Sequence, residues 1–535
     1  MVGGARVARL TALGLAAATA VVTLRVAWVG DDALITLRTL LNASHGWGWG
    51  FNITEAVQGY THPLWFLLWL VLGSITGTWL LTVMVMGVVC TAAAVLVAFR
   101  GGSSGPRILA VGGVLLLSNA FVEYATSGLE NSLGYLLFAA VIAITWAAGD
   151  APGGTRTGVA LGLLTAALLL TRLDYVLLLA PAAVVWVVAA RGRPRTIAAA
   201  GLAAATPLAL WFCWAWLTYG YLLPSTFEAK TNLALPRREL LATGWHYLSF
   251  SLLHDPATMV LLVVGGALVA AWGGLLGRAW LVGIAAYLGY VVWIGGDFMI
   301  GRFLAVPTFI CAALVVRVRV PESVRVRLGR PDPQDAVGWR PWGTAVVPLA
   351  VVAVAGFLVG SPATVLAPPA AARWDYYAVV LSDERGVYAD KFGTLGDYLP
   401  DRAADDGSPT APPARAEMPS TPLWQLESAA AHWPTRAPGE QPAIVGVDVA
   451  CGALGAISIM SGARVHVVDQ CALTDRFLAT LPGGDPQVVA LPGHHRRTIP
   501  DDYPEAVRTG DPTRVRDPVL AQRLAEIWTR IRPAP

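Results

Sequence analysis

Long apolar runs separated by short polar connections dominate the first two thirds of the chain. An apolar run of about 20 residues can cross a bilayer. The pattern predicts eleven transmembrane helices, near 8–28, 78–99, 107–122, 132–149, 157–171, 174–190, 196–218, 257–277, 279–295, 301–318 and 343–366. The segment 62–76 is also apolar, but it is short and rich in Trp, which favours the headgroup level. We interpret this segment as an interfacial or re-entrant helix.

Basic residues test this count, because cytoplasmic loops collect Lys and Arg. With eleven passes and a cytoplasmic N-terminus, the basic connections all lie inside: Arg6 with Arg9, 100–107, 191–195, Arg278 and 317–340. A further pass through 62–76 would move these connections outside. The charge pattern therefore predicts a cytoplasmic N-terminus and an extracytoplasmic tail.

The N-terminal segment has some features of a secretory signal peptide, with two arginines before an apolar run and small residues at 16–20. The apolar run continues to Val29, however, and many similar runs follow it. We therefore interpret residues 1–28 as an uncleaved first helix.

The tail, 370–535, is less apolar and is long enough for a separate domain. Residues 400–420 read as a flexible loop, since they are rich in Pro, Ser and Asp. Short buried strands are predicted at 443–450, 464–469 and 487–491, and helices near 422–432 and 517–531. The expected architecture is a polytopic α-helical membrane domain, 1–369, followed by an extracytoplasmic α/β domain, 370–535.

Composition agrees with this division. The 535 residues are 55% hydrophobic and 14% charged, with a mean hydropathy of +0.57, whereas soluble domains carry about 25% charged residues. The net charge of +3 is too small to indicate a nucleic-acid partner. Cys451 and Cys471 fall in the tail, where an oxidising compartment would permit a disulfide between them; two free thiols are the alternative.

Ionisable residues gather in five connections that the predicted topology places on the outer face. They are Asp31, Asp32, Arg38 and His62 in the first, Glu130 in the second, Arg172 and Asp174 in the third, Glu228 and Lys230 in the fourth, and Asp297 and Arg302 in the fifth. Each alone has a simpler explanation, such as a helix end, a local ion pair or a snorkelling arginine. Their coexistence on one face favours chemistry at the outer membrane surface. A transporter would instead place polar groups at the membrane midplane, so this pattern does not favour a transporter.

These connections carry a set of motifs that resembles a known family. WVGDDALITLR follows the first helix, and FN with GYTHPLW, TSGLEN, TRLDY, LLPSTFEAK and GGDFMIGRFL follow in order. Together they resemble the GT-C glycosyltransferases, and among these the mycobacterial and corynebacterial membrane arabinofuranosyltransferases that add terminal β-(1→2) residues to arabinan. The tail, with VHVVDQCALTDRFLATLP and IPDDY, is similar to that group's C-terminal domain.

The resemblance implies transfer of arabinofuranose from decaprenylphosphoryl-arabinose to cell-wall arabinan, on the outer face of a bacterial plasma membrane. Asp31 or Asp32 would be the catalytic base, with a slight preference for Asp32, and a divalent cation near the pair is an open alternative. Arg302, Lys230 and Arg172 would bind the donor phosphate. Further substrate contacts would come from Arg38, Tyr60, His62, Trp65, Glu130, Asp174, Glu228 and Asp297, and aromatics such as Trp374, Tyr376 and Trp424 are compatible with acceptor binding.

Two alternatives stay open at this point. One is a GT-C enzyme that uses another polyprenyl-linked sugar, and the other is a non-catalytic membrane scaffold or polysaccharide-binding protein. A scaffold would tolerate Asp31→Asn and Asp32→Asn, whereas an enzyme would not. His494 and His495 lie in a predicted soluble loop with no further ligands beside them, so we do not predict a metal site there.

Overall fold

Helices make up most of the computed structural model, which describes residues 2–102, 104–148, 152–318, 340–359, 362–366, 381–398, 421–483 and 494–532. Up to residue 318 the α-helices are α1 (Val2–Arg25), α2 (Asp31–Ser44), α3 (Pro63–Thr76), α4 (Trp79–Phe99), α5 (Gly105–Leu117), α6 (Asn119–Glu123), α7 (Asn131–Ala148), α8 (Thr155–Thr171), α9 (Tyr175–Ala189), α10 (Pro194–Tyr219), α11 (Ser225–Thr231), α12 (Arg237–Leu253), α13 (Pro256–Val260), α14 (Gly266–Trp272), α15 (Gly274–Trp293) and α16 (Ala305–Val315). A π-helical turn at Leu261–Gly265 joins α13 to α14, and a 3₁₀ turn at Arg302–Leu304 precedes α16.

Further elements are described from residue 340 onward. They are α17 (Arg340–Leu358), a 3₁₀ turn at Thr364–Leu366, α18 (Glu384–Lys391), α19 (Leu423–Ala431), β1 (Gly446–Ala450), α20 (Leu454–Ser461), β2 (Val465–Asp469), α21 (Arg476–Ala479), α22 (Tyr503–Thr509), a 3₁₀ turn at Pro512–Arg514 and α23 (Pro518–Ile531). The strands β1 and β2 pair in parallel, with Gly446 opposite Val465, and α20 connects them as a βαβ unit. The helices predicted near 422–432 and 517–531 correspond to α19 and α23.

Five of the described helices are long and apolar enough to cross a membrane, and a bent pair, α12 with α13–α14, would make six. The other predicted spans coincide with shorter apolar helices, including α5, α8, α9 and α16. The chain is therefore a polytopic helical membrane protein, and the number of passes stays a prediction. The helix predicted at 62–76 is present as α3, which begins at Pro63 and ends where Gly77 adopts a left-handed conformation (φ 67°).

The first outer connection differs from its prediction. The first helix is predicted near 8–28, but α1 ends at Arg25, and Asp31 and Asp32 open a separate helix. Gly30, the residue before α2, is extended (φ −87°, ψ 160°), so the chain turns between the two helices. Carboxylates in a first helical turn are stabilised by the helix dipole, which is why the pair favours a helix start over a helix end.

Packing joins the tail to the membrane part without a break. Buried side chains of α19 and α20 share a core with α2 and α4, and Glu427 of α19 accepts hydrogen bonds from the first amides of α4 (Leu80 N, 2.7 Å). Cys451 and Cys471 form a disulfide with their Cα atoms 5.3 Å apart. The loop predicted at 400–420, the strand predicted at 487–491, and the aromatics Trp374 and Tyr376 lie outside the described residues. Trp424 is half-buried and packs against the shared core.

Candidate active site

Asp31 and Asp32 are neighbours in sequence but contact different parts of the molecule, because consecutive helical residues point about 100° apart. The carboxylate of Asp31 is buried and accepts hydrogen bonds from the backbone amides of Gly455 and Ala456, both at 2.8 Å. These amides form the N-terminal end of α20, where an anion is favoured. Burial raises the pKa of Asp31 to about 7, although the two amides oppose the shift. Asp31 therefore anchors the tail, and its predicted catalytic role is not supported by its position.

Asp32 instead lines a cavity of about 260 Å³. Its carboxylate is 23% exposed and lies 3.3 Å from Nη1 of Arg302. The apolar part of the cavity wall comes from Leu169, Leu173, Trp211, Phe212, Leu222, Phe227 and Ile294, and the polar part from Asp32, His62, Arg172, Asp174, Lys230, Arg302 and His495. Such a cavity suits a ligand with an apolar chain and a polar head.

Two arginines in this wall are enclosed by carboxylates. Arg302 contacts Asp32 and Asp297 through Nη1, at 3.3 and 3.4 Å, and lies 3.9 Å from Glu130. Arg172 binds Asp174 through two hydrogen bonds, at 2.8 and 2.6 Å, and Glu130 through a third at 2.8 Å. Polar residues from separate predicted connections therefore meet at this cavity. Asp297 and Glu130 contact the arginines on the side away from the cavity. The cavity lining itself includes neither acid.

Glu130 connects both arginines to His62. Its side chain is fully buried and lies 3.2 Å from Nδ1 of His62, whose Nε2 lies 3.2 Å from the Thr36 hydroxyl. Burial alone would raise the pKa of Glu130, but the hydrogen bond and charge of His62, with the charges of Arg172 and Arg302, hold that pKa well below its usual range. Glu130 is thus an ionised group that positions cationic side chains around the cavity.

Tyr60 and Lys230 also line the cavity, as expected. The Tyr60 ring stacks on Phe66, with centroids 4.0 Å apart, and its hydroxyl lies 2.8 Å from that of Tyr219. Lys230 is exposed and, among the described residues, makes no ion pair with a carboxylate. Its helix, α11, is held to the tail because Asn232, which follows α11, donates a hydrogen bond to Ala479 O at 3.1 Å.

Three residues predicted to contact substrate do not line the cavity, because their side chains contact other parts of the same chain. The guanidinium of Arg38 is fully buried and donates to four backbone carbonyls, including Phe51 O (2.8 Å) and Val465 O (2.7 Å). Trp65 is fully buried and donates to Gly128 O at 2.9 Å. Glu228 pairs with Arg476 at 2.7 Å. A long polar side chain can form hydrogen bonds with buried backbone groups as readily as with a ligand.

Two residues of the tail were missed. His495 lines the cavity with its side chain almost fully buried. Glu384 is 1% exposed, and burial, then the charges of Asp32 and Asp297, raise its pKa well above the usual value. It reaches this place because the chain at Ser382 pairs with the segment before Arg302: Ser382 N donates to Phe298 O (2.8 Å), and Ile300 N to Ser382 O (3.1 Å). Long-range pairing of this kind has no local sequence signal.

A metal site receives no support from the side chains that are described. No group of three or more His, Cys, Asp or Glu residues within the described ranges is arranged to hold a metal ion. The carboxylates of Asp32 and Asp297 are instead oriented by the guanidinium of Arg302.

Comparisons with known proteins identify no family for the chain. No family model matches it, and no curated protein matches it. Among solved structures, it is similar to the oligosaccharyltransferase of Archaeoglobus fulgidus in the apo form, with 12% sequence identity, a TM-score of 0.45, and coverage of 96% of this chain and 68% of that chain. A likeness at this level does not assign an activity.

Proposed function

We propose that the protein is an integral-membrane glycosyltransferase of the GT-C type, which transfers a sugar from a polyprenyl phosphate to a glycan acceptor. The observation that carries the proposal is the partly exposed carboxylate of Asp32, held 3.3 Å from Arg302 in the wall of a cavity with apolar and polar lining residues. A polyprenyl-phosphate sugar has the same division into an apolar chain and a polar head.

The chemistry assigned to this geometry is a single inverting displacement. Asp32 removes the proton from an acceptor hydroxyl while that oxygen attacks the anomeric carbon. The bond between the anomeric carbon and the phosphate oxygen breaks, and its electron pair leaves with the polyprenyl phosphate. Arg302 fixes the carboxylate for this step, and Glu130 and Asp297 in turn fix Arg302. Tyr60, His62 and Asp174 lie in the same wall, where they can contact the sugar head.

The identity of the sugar rests on the motif resemblance. The set from WVGDDALITLR to GGDFMIGRFL supports arabinofuranose as the transferred sugar and decaprenylphosphoryl-arabinofuranose as its donor. The same set supports a terminal β-(1→2) linkage on cell-wall arabinan and an outer-face site in the plasma membrane.

The test is sugar transfer by purified protein in lipid nanodiscs. Radiolabelled polyprenylphosphoryl-arabinofuranose should yield a labelled product with a synthetic arabinan acceptor, and no product when the acceptor is omitted. Polyprenyl-phosphate mannose and glucose, supplied in parallel, distinguish arabinose from another polyprenyl-linked sugar. Tight binding of the arabinan acceptor, with no transfer from any of the three donors, would contradict the enzymatic proposal and favour the scaffold.

A further inference from the structure

The cationic side chains of the cavity differ in how their charges are balanced. Arg172 and Arg302 together contact four carboxylates, those of Asp32, Glu130, Asp174 and Asp297. Even if His62 is counted as a third positive charge, the four carboxylates leave this group with an excess of negative charge. A phosphate brought to the arginines would therefore meet nearby carboxylates at short range, where like charges repel.

Lys230 stands in a different environment. It lines the same cavity, and its ammonium forms no ion pair with any carboxylate that the structure describes. A lysine presents a compact charge with three donors and binds phosphate as a point charge. Phe227 and Leu233, which are close to Lys230 in sequence, line the same cavity, so one segment offers both a charge for the phosphate head and apolar groups for the lipid chain.

His495 shares this part of the wall and comes from the tail. Its side chain is 5% exposed, and among the described residues its Nδ1 has no hydrogen-bond partner. Burial, followed by the charges of Arg497, His494 and Lys230, lowers the pKa of His495 to about 4, so the ring is neutral at pH 7. A neutral imidazole carries one N–H donor, and a buried ring with an open nitrogen is expected to meet a polar ligand.

Arg497 fixes Lys230 and His495 relative to each other. Its buried guanidinium donates to the carbonyl oxygens of His495, of Ala229 (2.6 Å), and of Asn232 (3.3 Å). Ala229 and Asn232 flank Lys230 and its helix end, so one side chain joins the His495 loop to α11. A site whose two polar groups are pre-positioned in this way loses little freedom on binding.

We infer that Lys230 and His495 form the subsite for the donor phosphate, and that Arg302 positions Asp32 rather than binding phosphate. This inference rests on the proposed function for the identity of the ligand. During transfer the phosphate changes from a diester with one negative charge to a monoester with up to two, and the ammonium of Lys230 is placed to stabilise the added charge. The neutral His495 ring donates to a phosphate oxygen without adding charge.

The test is binding of farnesyl phosphate, with farnesol as its uncharged counterpart, to the full-length protein in nanodiscs by calorimetry. Wild type should bind the phosphate more tightly than the alcohol. Lys230→Gln should weaken phosphate binding about ten- to hundred-fold, as expected for loss of a charge-assisted contact, and Lys230→Arg should restore most of it. His495→Gln should weaken it several-fold. Farnesol affinity should not change in any of these variants.

The control is Arg496→Gln, next to His495 but exposed, which should bind like wild type. The inference is overturned if Lys230→Gln and His495→Gln bind farnesyl phosphate as wild type does, or if Arg302→Lys alone removes the preference for phosphate. Because the assay involves no sugar transfer, the two hypotheses can fail separately. If phosphate binding depends on Lys230 but no sugar is transferred, only the proposed reaction is contradicted. If sugar is transferred but phosphate binding does not depend on Lys230, only the subsite is contradicted.

Discussion

Two groups of residues in the cavity wall differ in how their charge is balanced. Arg302 and Arg172 are held by four carboxylates. Lys230, which lies beside the neutral His495, lines the same cavity without an acidic partner among the described residues. Arginine is the usual residue for bidentate phosphate recognition, yet here the environment of each cation, rather than its type, separates orientation of a base from charge recognition. The comparison can be tested by changing each group separately.

The largest effect is expected from Asp32→Asn, beside the arginines. This substitution keeps the shape of the side chain but removes its ability to accept the proton, so turnover should fall by about 10²–10⁴-fold. Farnesyl phosphate binding should persist, because the inferred phosphate subsite consists of Lys230 and His495 and does not include Asp32. The measurement is radiolabelled sugar transfer alongside the calorimetric assay. Wild-type transfer rates in Asp32→Asn would show that Asp32 is not the catalytic base.

Asp31→Asn is the matched comparison for Asp32→Asn. It changes the neighbouring residue in the same way, but the carboxylate it replaces binds the amides of Gly455 and Ala456. Its first effect should therefore be a lower melting temperature rather than a lower turnover of the folded protein. If both variants lose turnover equally at unchanged stability, the division of roles between the two aspartates is wrong.

Much of this arrangement is visible in the sequence, because it depends on local pattern. Apolar runs place the helices, and the polar connections between them contain Asp32, Glu130, Arg172, Lys230 and Arg302, which the structure brings together. What could not be predicted depends on contacts between distant segments. Arg38 belongs to a sequence motif, but its guanidinium donates hydrogen bonds to backbone carbonyls more than 400 positions away. His495 has no pattern around it, and only the folded tail brings it to the cavity.

The disulfide provides the next largest effect, near the loop that carries His495. Cys451 and Cys471 are 20 residues apart, and closing a loop of this length stabilises a fold by about 3 kcal/mol on a chain-entropy estimate. The carbonyl of Cys471 accepts a hydrogen bond from Arg497 (3.3 Å), which connects the disulfide to the His495 loop. A reductant should lower the melting temperature of wild type but not that of the Cys451→Ala/Cys471→Ala variant. Equal shifts in both proteins would contradict the prediction.

Gly455→Ala tests how the tail is held against α2. A Cβ atom at Gly455 would lie 2.3 Å from the backbone oxygen of Asp31 and 2.6 Å from Cβ of Leu34. Overpacking of this kind costs about 1–3 kcal/mol, so thermal unfolding should begin at a lower temperature. Gly446→Ala is the control, since its Cβ would meet nothing closer than 4.0 Å. Equal melting temperatures for the two variants would show that α20 does not dock on α2 as described.

The smallest effect is a pH dependence at the same contact. The pKa of Asp31 is about 7 in the folded protein, against an ordinary value of 3.8. Between these values the folded state keeps a proton that the unfolded state has lost, so the unfolding free energy falls as pH rises. From pH 6 to pH 8 the contribution of Asp31 should fall by about 1 kcal/mol. Burial also raises the pKa of Asp469 to about 6 and of Asp475 to about 8, with the same sign.

Asp31→Asn should therefore give a shallower decrease in stability than wild type between pH 6 and pH 8, without removing it, because Asp469 and Asp475 remain. The measurement is thermal unfolding at matched ionic strength across this range. Asp511→Asn is the control, since hydrogen bonds from Thr513 lower the pKa of that exposed carboxylate and it stays ionised throughout. If the slopes of wild type and Asp31→Asn coincide, the two amides of α20 stabilise an ionised Asp31 fully, and burial does not decide its charge.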